Sequence, residues 1–393
     1  MKNFLAPPRL RIDESEESER RATWLELFYD LVFVVAVSQL AHNLEEDISI
    51  SGFVGFFILF IPVWWSWIGT TMYANRFDSD DIGRRFLVGL HMLAATAMAV
   101  NIHDGLGENA PGFAIAYGLC RAVLVVEYVR AGIYIPQARP LTTRYAVGFA
   151  IASAIWLLSA FIPAPSRFFF WGIGAVVDLV TPFTTSKYQL QFLPNASHLP
   201  ERFGLFTMIV LGEAIVAVVD GVSKQHWDVY STISAIFGLS MAFSLWWVYF
   251  DNLGGTPIRT AKSEGRTRKM LLWLYTHLPL VIGIAAAGVG VENVVLSEQT
   301  QPLPDKIRYL ICGSVALCWL SMAILHRTGV IRYCKMRAKY RLGGAVIVGA
   351  IAFFGKSLLP IAVIGLIATV AAFQVVQDLS GERPTTRLSD AEI

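Results

Sequence analysis

The sequence predicts an all-α, polytopic membrane protein with about twelve transmembrane helices arranged as two parallel six-helix repeats. Three observations support this fold class: the composition, the spacing of the apolar segments and the distribution of positive charge. Of the 393 residues, 55% are hydrophobic and only 16% are charged, whereas soluble domains carry about 25% charged residues. The mean hydropathy is +0.52. We therefore expect most of the chain to lie in a bilayer.

The apolar segments have the length that a bilayer requires. A membrane-crossing helix needs about 20 mostly apolar residues. Windows of that length predict twelve helices at residues 24–43, 51–74, 85–101, 111–131, 143–162, 167–182, 202–221, 229–250, 269–292, 307–326, 342–354 and 357–377.

The positive charges give these helices an orientation. With the N-terminus in the cytoplasm, 26 Lys and Arg residues fall in the predicted inside segments and five in the outside loops. Such an excess is the positive-inside signal of a multi-pass protein with both termini in the cytoplasm. Residues 1–22 are highly charged and lack the apolar region of a signal peptide. The four cysteines form no CxxC pair, so we predict neither a disulfide framework nor a zinc site.

The two halves of the chain share landmarks in the same order. A Trp-Trp pair at residues 64–65 recurs at residues 246–247, and His91 recurs as His277, at offsets of 182 and 186 residues. A Leu-Phe pair also recurs near the start of predicted spans 1 and 7. A unit of six spans places both halves in the same orientation, which implies a pseudo-twofold axis along the membrane normal and a pathway between the halves.

This duplication predicts five segments. They are a cytoplasmic N-tail (1–22), a first six-helix repeat (23–183), a cytoplasmic linker (184–201), a second six-helix repeat (202–378) and a cytoplasmic C-tail (379–393).

The first predicted span carries two acidic residues inside its apolar run. Glu26 and Asp30 are four residues apart, so a helix places them on one face. A carboxylate at the centre of a membrane helix costs about 2.5–3.5 kcal/mol on insertion scales, and it persists where it has a partner or a function. Glu26 could instead anchor the helix at the interface, whereas Asp30 lies deeper and predicts a buried polar contact.

Further ionisable residues lie within other predicted spans. Glu213 has no cation within one turn of its own helix, so it is either protonated or paired across helices. Arg121 is the candidate partner for an acid from another helix. A structural Arg–acid clamp and a role in handling protons or cations both fit this pattern. The complete set that we predict for a polar or transport site is Asp30, Glu213, Glu26, His91, His277, Arg121, Asp178 and Glu127.

The two matched histidines, His91 and His277, are candidates for facing the symmetry axis. A histidine with a pKa near neutrality can gate or relay protons, but a membrane histidine that only hydrogen-bonds to a neighbouring helix is the commoner arrangement. No third residue is spaced to complete a metal site with them, and we predict no metal.

An acidic cluster at Asp78, Asp80 and Asp81 precedes Arg84 and Arg85. Such a cluster could contact a cation or a diphosphate. It could equally begin a helix, because Asp at the N-cap accepts hydrogen bonds from free N–H groups.

Signatures of soluble enzymes are absent: the chain contains no Walker A, HExxH or GxSxG motif and no dinucleotide fingerprint. No cofactor is predicted. The basic loops follow from topology, so nucleic-acid binding is not expected. The partners that we predict are the lipid bilayer and a small ion or small-molecule ligand, and the sequence leaves room for a homodimer.

Three sequence blocks resemble the bacterial low temperature requirement A (LtrA) family. They are residues 24–33 (WLELFYDLVF) with 39–42 (QLAH), residues 73–78 (YANRFD) with 80–81, and residues 198–206 (HLPERFGLF) with 210–213 (VLGE). The resemblance spans most of the chain. It implies a multi-pass protein of the bacterial inner (cytoplasmic) membrane that is associated with growth at low temperature.

A second block is similar to the first-helix Phe-Ser-Asp motif of the endolysosomal and bacterial potassium channels built from six-helix units. In residues 28–33 Tyr29 replaces the serine of that motif, and the second half carries Glu213 in place of an aspartate. This similarity implies two parallel repeats whose first helices line a pathway.

Three functions follow as hypotheses. The first is a channel or transporter for a small cation or a proton-coupled solute, lined by the first helix of each repeat. The second is an intramembrane enzyme that acts on a lipid or isoprenoid substrate at the cytoplasmic side, and the sequence leaves open whether the protein is an enzyme. The third is a structural membrane protein whose acidic residues are all locked in interhelical pairs.

Overall fold

The computed structural model describes residues 7–10, 22–78, 81–225, 228–251, 256–265, 267–328 and 332–380. Its first half contains the helices α1 (Trp24–Glu46), α2 (Ile50–Arg76), α3 (Ile82–Val100), α4 (Ala110–Tyr134), α5 (Arg139–Ser159), α6 (Ser166–Thr184) and the short α7 (Ser186–Gln189). Its second half contains α8 (His198–Lys224), α9 (Val229–Phe250), α10 (Thr256–Glu264), α11 (Arg268–Leu296), α12 (Asp305–Thr328), α13 (Arg332–Phe354) and α14 (Pro360–Ser380).

The all-α polytopic fold is confirmed. Every one of the twelve predicted segments corresponds to a helix, and nine of the described helices are long and apolar enough to cross a membrane. The segments assigned to α3, α6 and α13 are not among those nine, so the count of twelve crossings stays a prediction. Two short helices, α7 and α10, lie in segments that we expected to be loops.

The boundaries differ most around the predicted linker. Residues 184–201 were expected to precede the second repeat as a loop, but α8 begins at His198. Pro200 at the third position of α8 is compatible with this early start, because the first N–H groups of a helix have no intrahelical acceptor. The earlier start adds one turn to α8 and brings His198 and Arg202 into the protein interior, where both are buried.

Side-chain caps fix several helix starts. Thr23 and Glu26 form a reciprocal capping box at the start of α1. Asp81 caps α3 and Asp228 caps α9, each by accepting hydrogen bonds from the first turn. Hydrogen bonds from Ser231 and Tyr230 hold the pKa of the Asp228 carboxyl below its usual value.

Most helix pairs correspond between the halves, although α9 also packs on α14 and α2 on α4 without a counterpart in the described part of the other half. In the first half α1 packs on α2 and α3, and α3–α4, α4–α5 and α5–α6 form consecutive pairs. In the second half α8 packs on α9 and α11, and α11–α12, α12–α13 and α13–α14 follow. This correspondence is what a parallel duplication would produce, and the two-repeat organisation stays a prediction.

The halves meet where α1 and α2 pack against α8 and α11. Helix α11 lies deepest in the protein, with 83% of its most apolar window buried. A Cβ atom on Gly288 would lie 2.7 Å from the Cα of Ala214, so glycine at this position allows α11 to approach α8 closely. The only β structure in the described residues is a two-residue antiparallel pair between β1 (Arg9–Leu10) and β2 (Phe77–Asp78).

Candidate functional site

A cluster of charged side chains joins the N-terminal ends of α1 and α8. Arg202 of α8 donates a 2.6 Å hydrogen bond to Asp30 Oδ1, and its Nη1 lies 3.5 Å from Glu26 Oε1. His198, one turn earlier on α8, places Nε2 3.4 Å from Glu26 Oε2. All four side chains are buried, so the charged groups of the two helices contact each other away from solvent. We call these four residues the inner cluster.

Asp30 is held from two sides. Trp67 of α2 donates its indole N–H to Asp30 Oδ1 at 2.8 Å, the same oxygen that accepts from Arg202. Trp67 is itself fixed by the rings of Phe203 and Phe206, whose centroids lie 5.1 Å and 4.3 Å away. The other carboxylate oxygen, Oδ2, is buried and has no hydrogen-bond partner among the described residues. The expected buried polar contact of Asp30 is therefore with Arg202 and Trp67.

The second motif block reaches the inner cluster through Asn75. Its side-chain nitrogen lies 2.9 Å from His198 Nδ1, and its side-chain oxygen accepts a 2.6 Å hydrogen bond from the backbone of Asn195. Asn75 thereby links the end of α2 to the chain that enters α8. Residues from the three sequence blocks at 24–42, 73–81 and 198–213 thus meet at one place in the structure.

The contact between α1 and α8, which we call the α1–α8 seam, extends along both helices away from the inner cluster. Both helices run in the same direction, because their N-terminal ends meet at Arg202 and their C-terminal ends meet at Lys224. Near the middle, Glu213 of α8 neighbours Ser38 of α1. Glu213 is half-buried and makes no ion pair within the described part of the chain. A Cβ atom on the preceding Gly212 would meet nothing within 4 Å, so α8 is not closely packed at that position.

A second set of charges closes the other end of the seam. Lys224 Nζ lies 3.0 Å from Glu45 Oε1 of α1 and 2.9 Å from Glu292 Oε1 of α11. Lys224 is half exposed, whereas Glu292 is almost fully buried. We call these three residues the outer cluster. A single lysine shared by two carboxylates leaves a net negative charge at this end.

The two matched histidines lie in similar but separate clusters. His91 of α3 bonds to Tyr29 of α1 at 3.0 Å and to Thr70 of α2 at 3.3 Å. His277 of α11 lies 3.1 Å from the hydroxyl of Tyr249 on α9, which neighbours Thr207 of α8. Each cluster therefore contains one His, one Tyr and one Thr. In the first half the Tyr lies on α1 and the Thr on α2, whereas in the second half the Thr lies on α8 and the Tyr on α9.

The tautomer of His277 follows from its contacts. Its Nδ1 lies 2.8 Å from the carbonyl oxygen of Trp273, which can only accept, so Nδ1 donates. In a neutral imidazole Nε2 then accepts from the Tyr249 hydroxyl. Both histidines have interhelical partners, which is the simpler of the two roles that the sequence left open.

Arg121 pairs with Asp178 of α6 and not with Glu213. Arg121 Nε lies 3.3 Å from Asp178 Oδ2, and Tyr117 bridges them: its hydroxyl accepts from Arg121 at 2.9 Å and donates to Asp178 at 2.5 Å. This triad lies entirely within the first half. Glu127, the remaining acid of the predicted set, lies 3.9 Å from Arg84 of α3.

Of the acidic cluster, Asp81 serves as a helix cap. Its Oδ1 accepts from the Arg84 backbone N–H at 2.6 Å, and its carboxylate also pairs with Arg130. Asp80 and the side chain of Asp78 lie outside the described residues. The helix-cap interpretation is therefore confirmed for Asp81.

The buried arginines of two clusters were not identified from the sequence. Arg202 was counted among loop charges, although it is 1% exposed and central to the inner cluster. Arg341 of α13 pairs with Asp378 of α14, deep in the second half. The signal that could have found Arg202 was its place in the block at residues 198–206, four residues after His198 and so on the same helix face.

Comparison with known proteins identifies the family of this chain. Residues 21–377 match the family model described as bacterial low temperature requirement A protein (LtrA). The chain is also similar to "Uncharacterized protein RA0937" of Rhizobium meliloti (strain 1021), with 28% identity over 300 residues that cover 72% of this chain and 71% of that protein. No solved structure matches the chain significantly. Because the family model covers most of the chain and all three blocks of the inner cluster, this protein belongs to the bacterial LtrA family.

Proposed function

We propose that this protein is a transporter for a small cation or a proton-coupled solute, and that the path follows the α1–α8 seam. The observation that carries the proposal is the position of Glu213: a half-buried carboxylate in the middle of the seam, with no ion pair in the described part of the chain. Ionisable residues within membrane spans are costly and commonly mark ion or proton pathways.

The charges at the two ends of the seam favour a transporter over an open channel. The inner cluster and the outer cluster each tie α1 to α8 by ion pairs. A path closed at both ends around a central carboxylate suits a protein that opens one end at a time by rocking one half against the other. With the predicted orientation the inner cluster faces the cytoplasm. The family name associates LtrA proteins with growth at low temperature, and we extend that association to this chain as part of the proposal.

A structural role is the second candidate, and one observation favours it. Glu26, Asp30, Glu127 and Asp178 all lie in interhelical pairs. Under this alternative the inner cluster only fixes how the halves pack. The enzyme hypothesis has less support, because Asp81 is engaged by the start of α3 and by Arg130.

Flux into liposomes tests the proposal. Purified protein reconstituted in liposomes should move protons or one of a panel of monovalent and divalent cations faster than empty liposomes. Glu213→Gln removes the charge but keeps the shape, so we expect it to lower the flux at least tenfold.

Glu264→Gln is the matched control, because Glu264 is an exposed acid whose pair with Lys269 lies outside the seam. It should leave the flux unchanged. Flux equal to that of empty liposomes for every ion and pH gradient, from a protein that is folded by circular dichroism, would refute transport and leave the structural role.

A further inference from the structure

Arg76, the last residue of α2, is a buried cation with no carboxylate partner in the described part of the chain. The residue is 2% exposed, and its Nε donates to the carbonyl oxygen of Phe192 at 3.1 Å. The terminal nitrogens Nη1 and Nη2 are buried and have no hydrogen-bond partner among the described residues. The guanidinium lies over the ring of Tyr145, 5.6 Å from its centroid.

The other buried arginines of the described chain behave differently, because each has a carboxylate within 4.0 Å. The pairs are Arg84 with Glu127, Arg121 with Asp178, Arg202 with Asp30, Arg308 with Asp305, Arg337 with Asp378 and Arg341 with Asp378. Arg76 is the exception among them. A buried charge is strongly disfavoured unless it is paired and hydrogen-bonded, and a guanidinium cannot lose its proton to escape that cost. The contact with an aromatic ring offsets only a part of it.

The surroundings of Arg76 are polar. The phenol groups of Tyr128 and Tyr145 lie beside the guanidinium. Gln189 of α7 donates to the Tyr145 hydroxyl at 2.9 Å, while its own side-chain oxygen is buried and unbonded. The guanidinium interacts with both phenol oxygens but has no carboxylate partner, and Gln189 Oε1 has no hydrogen-bond donor among the described residues. A ligand that supplies the missing negative charge and a proton for Gln189 is an oxyanion that retains a proton, such as monohydrogen phosphate.

A groove between α4 and α5 shares one residue, Tyr128, with this site. It has a volume of about 420 Å³ and is lined by Tyr128, Arg139, two threonines and apolar side chains. The Tyr128 ring stacks on Tyr145 with a centroid separation of 4.9 Å, so the two rings lie between the groove lining and the guanidinium. Arg139, exposed on the groove wall, adds a second positive charge.

We propose that Arg76 forms, with Tyr128, Tyr145 and Gln189, a binding site for a monoprotonated phosphate, either free or as the phosphomonoester headgroup of phosphatidic acid, whose chains would occupy the groove. Arg76 supplies the positive charge and N–H donors, and Gln189 accepts the remaining proton. The site is separate from the α1–α8 seam and does not depend on the proposed transport.

Thermal unfolding with inorganic phosphate tests the site. For the full-length protein in a neutral detergent, phosphate should raise the Tm by roughly 2–4 °C relative to chloride at matched ionic strength, in a saturable manner. Arg76→Gln should abolish the shift, whereas Arg76→Lys should keep part of it as a point charge. Arg121→Gln is the matched control: it removes another buried arginine, and it should lower the Tm but retain the phosphate shift.

Lipid arms separate the two sources of phosphate. In nanodiscs, phosphatidic acid should raise the Tm over phosphatidylglycerol, which is anionic but lacks the phosphate proton, only if a headgroup is bound, and this gain should also disappear in Arg76→Gln. A shift with inorganic phosphate alone assigns the site to a free anion. If neither phosphate nor phosphatidic acid changes the Tm of the wild-type protein, or if Arg76→Gln retains the full shift, the proposal is wrong. Native mass spectrometry of the wild-type protein with phosphate gives the same decision if Arg76→Gln does not fold.

Discussion

At both ends of the α1–α8 seam an ion pair joins the two helices, but the two pairs differ in their exposure to solvent. At the inner cluster the guanidinium of Arg202 and the carboxylate of Asp30 are about 2% and 3% exposed, and an indole N–H adds a further hydrogen bond. At the outer cluster Lys224 is 50% exposed and Glu45 is 24% exposed. Buried charge pairs cost much to break, whereas exposed pairs contribute little.

This difference indicates how the seam would open. At the outer cluster Lys224 and Glu45 can exchange their ion pair for water at small cost, although Glu292 is almost fully buried, and the cluster carries one more carboxylate than lysine. The inner cluster can open only if Arg202 and the two acids on α1 gain other partners together. We therefore expect the outer end to open readily, and the inner end to set the stability of the contact between the halves.

The largest expected effect is that of Arg202→Met. Removal of the guanidinium leaves the buried Asp30 without its cation, and breaking a buried pair costs about 3–5 kcal/mol. Unfolding of the purified protein by a denaturing detergent, with helix content as the signal, measures the loss. Arg268→Met, at an exposed arginine that begins α11, is the control and should change stability little.

A double substitution sharpens the same prediction. If Arg202 and Asp30 act as a pair, Arg202→Met combined with Asp30→Asn should be less destabilising than the sum of the single changes, by about 0.5–3 kcal/mol. Additive losses would show that Arg202 acts through packing or through Glu26 alone, and the comparison between the two ends would lose its basis.

A smaller effect is expected for Lys224→Met. Lys224 is half exposed and Glu45 partly so, but Glu292 is almost fully buried, so the loss of stability should be smaller than that of Arg202→Met and should shrink as salt is added. The same unfolding assay at low and high salt measures it. A loss as large as that of Arg202→Met would place the tight end of the seam at the outer cluster.

The helices were predictable from the sequence because each apolar segment carries its own length and hydropathy. The boundary at α8 was not, because residues 198–201 precede the apolar segment and were assigned to the linker. Their place in a helix depends on partners far along the chain: Glu26 lies 172 positions before His198, and Asp30 lies 172 positions before Arg202. Such pairings arise from tertiary packing and leave no periodicity in the local sequence.

The candidate site was predictable in part. Asp30 and Glu213 stood out because a carboxylate in an apolar run is costly. The cation for Asp30 did not stand out, because Arg202 lies at the edge of its span and was assigned to topology, and Arg341 was assigned in the same way. Arg121 was recognised as a buried cation, but with several acids in other spans the sequence could not select Asp178 over Glu213.

Cross-linking across the outer cluster tests the central claim, that transport needs α1 and α8 to separate. Glu45→Cys and Lys224→Cys, in a background with Cys334→Ser, place two thiols at a contact where the native side chains lie 3.0 Å apart. The other cysteines, Cys120, Cys312 and Cys318, are buried. A short, reducible bifunctional reagent should reduce liposome flux to the level of empty liposomes, and reduction should restore it, while each single-cysteine variant stays active. Undiminished flux after complete cross-linking would contradict the account.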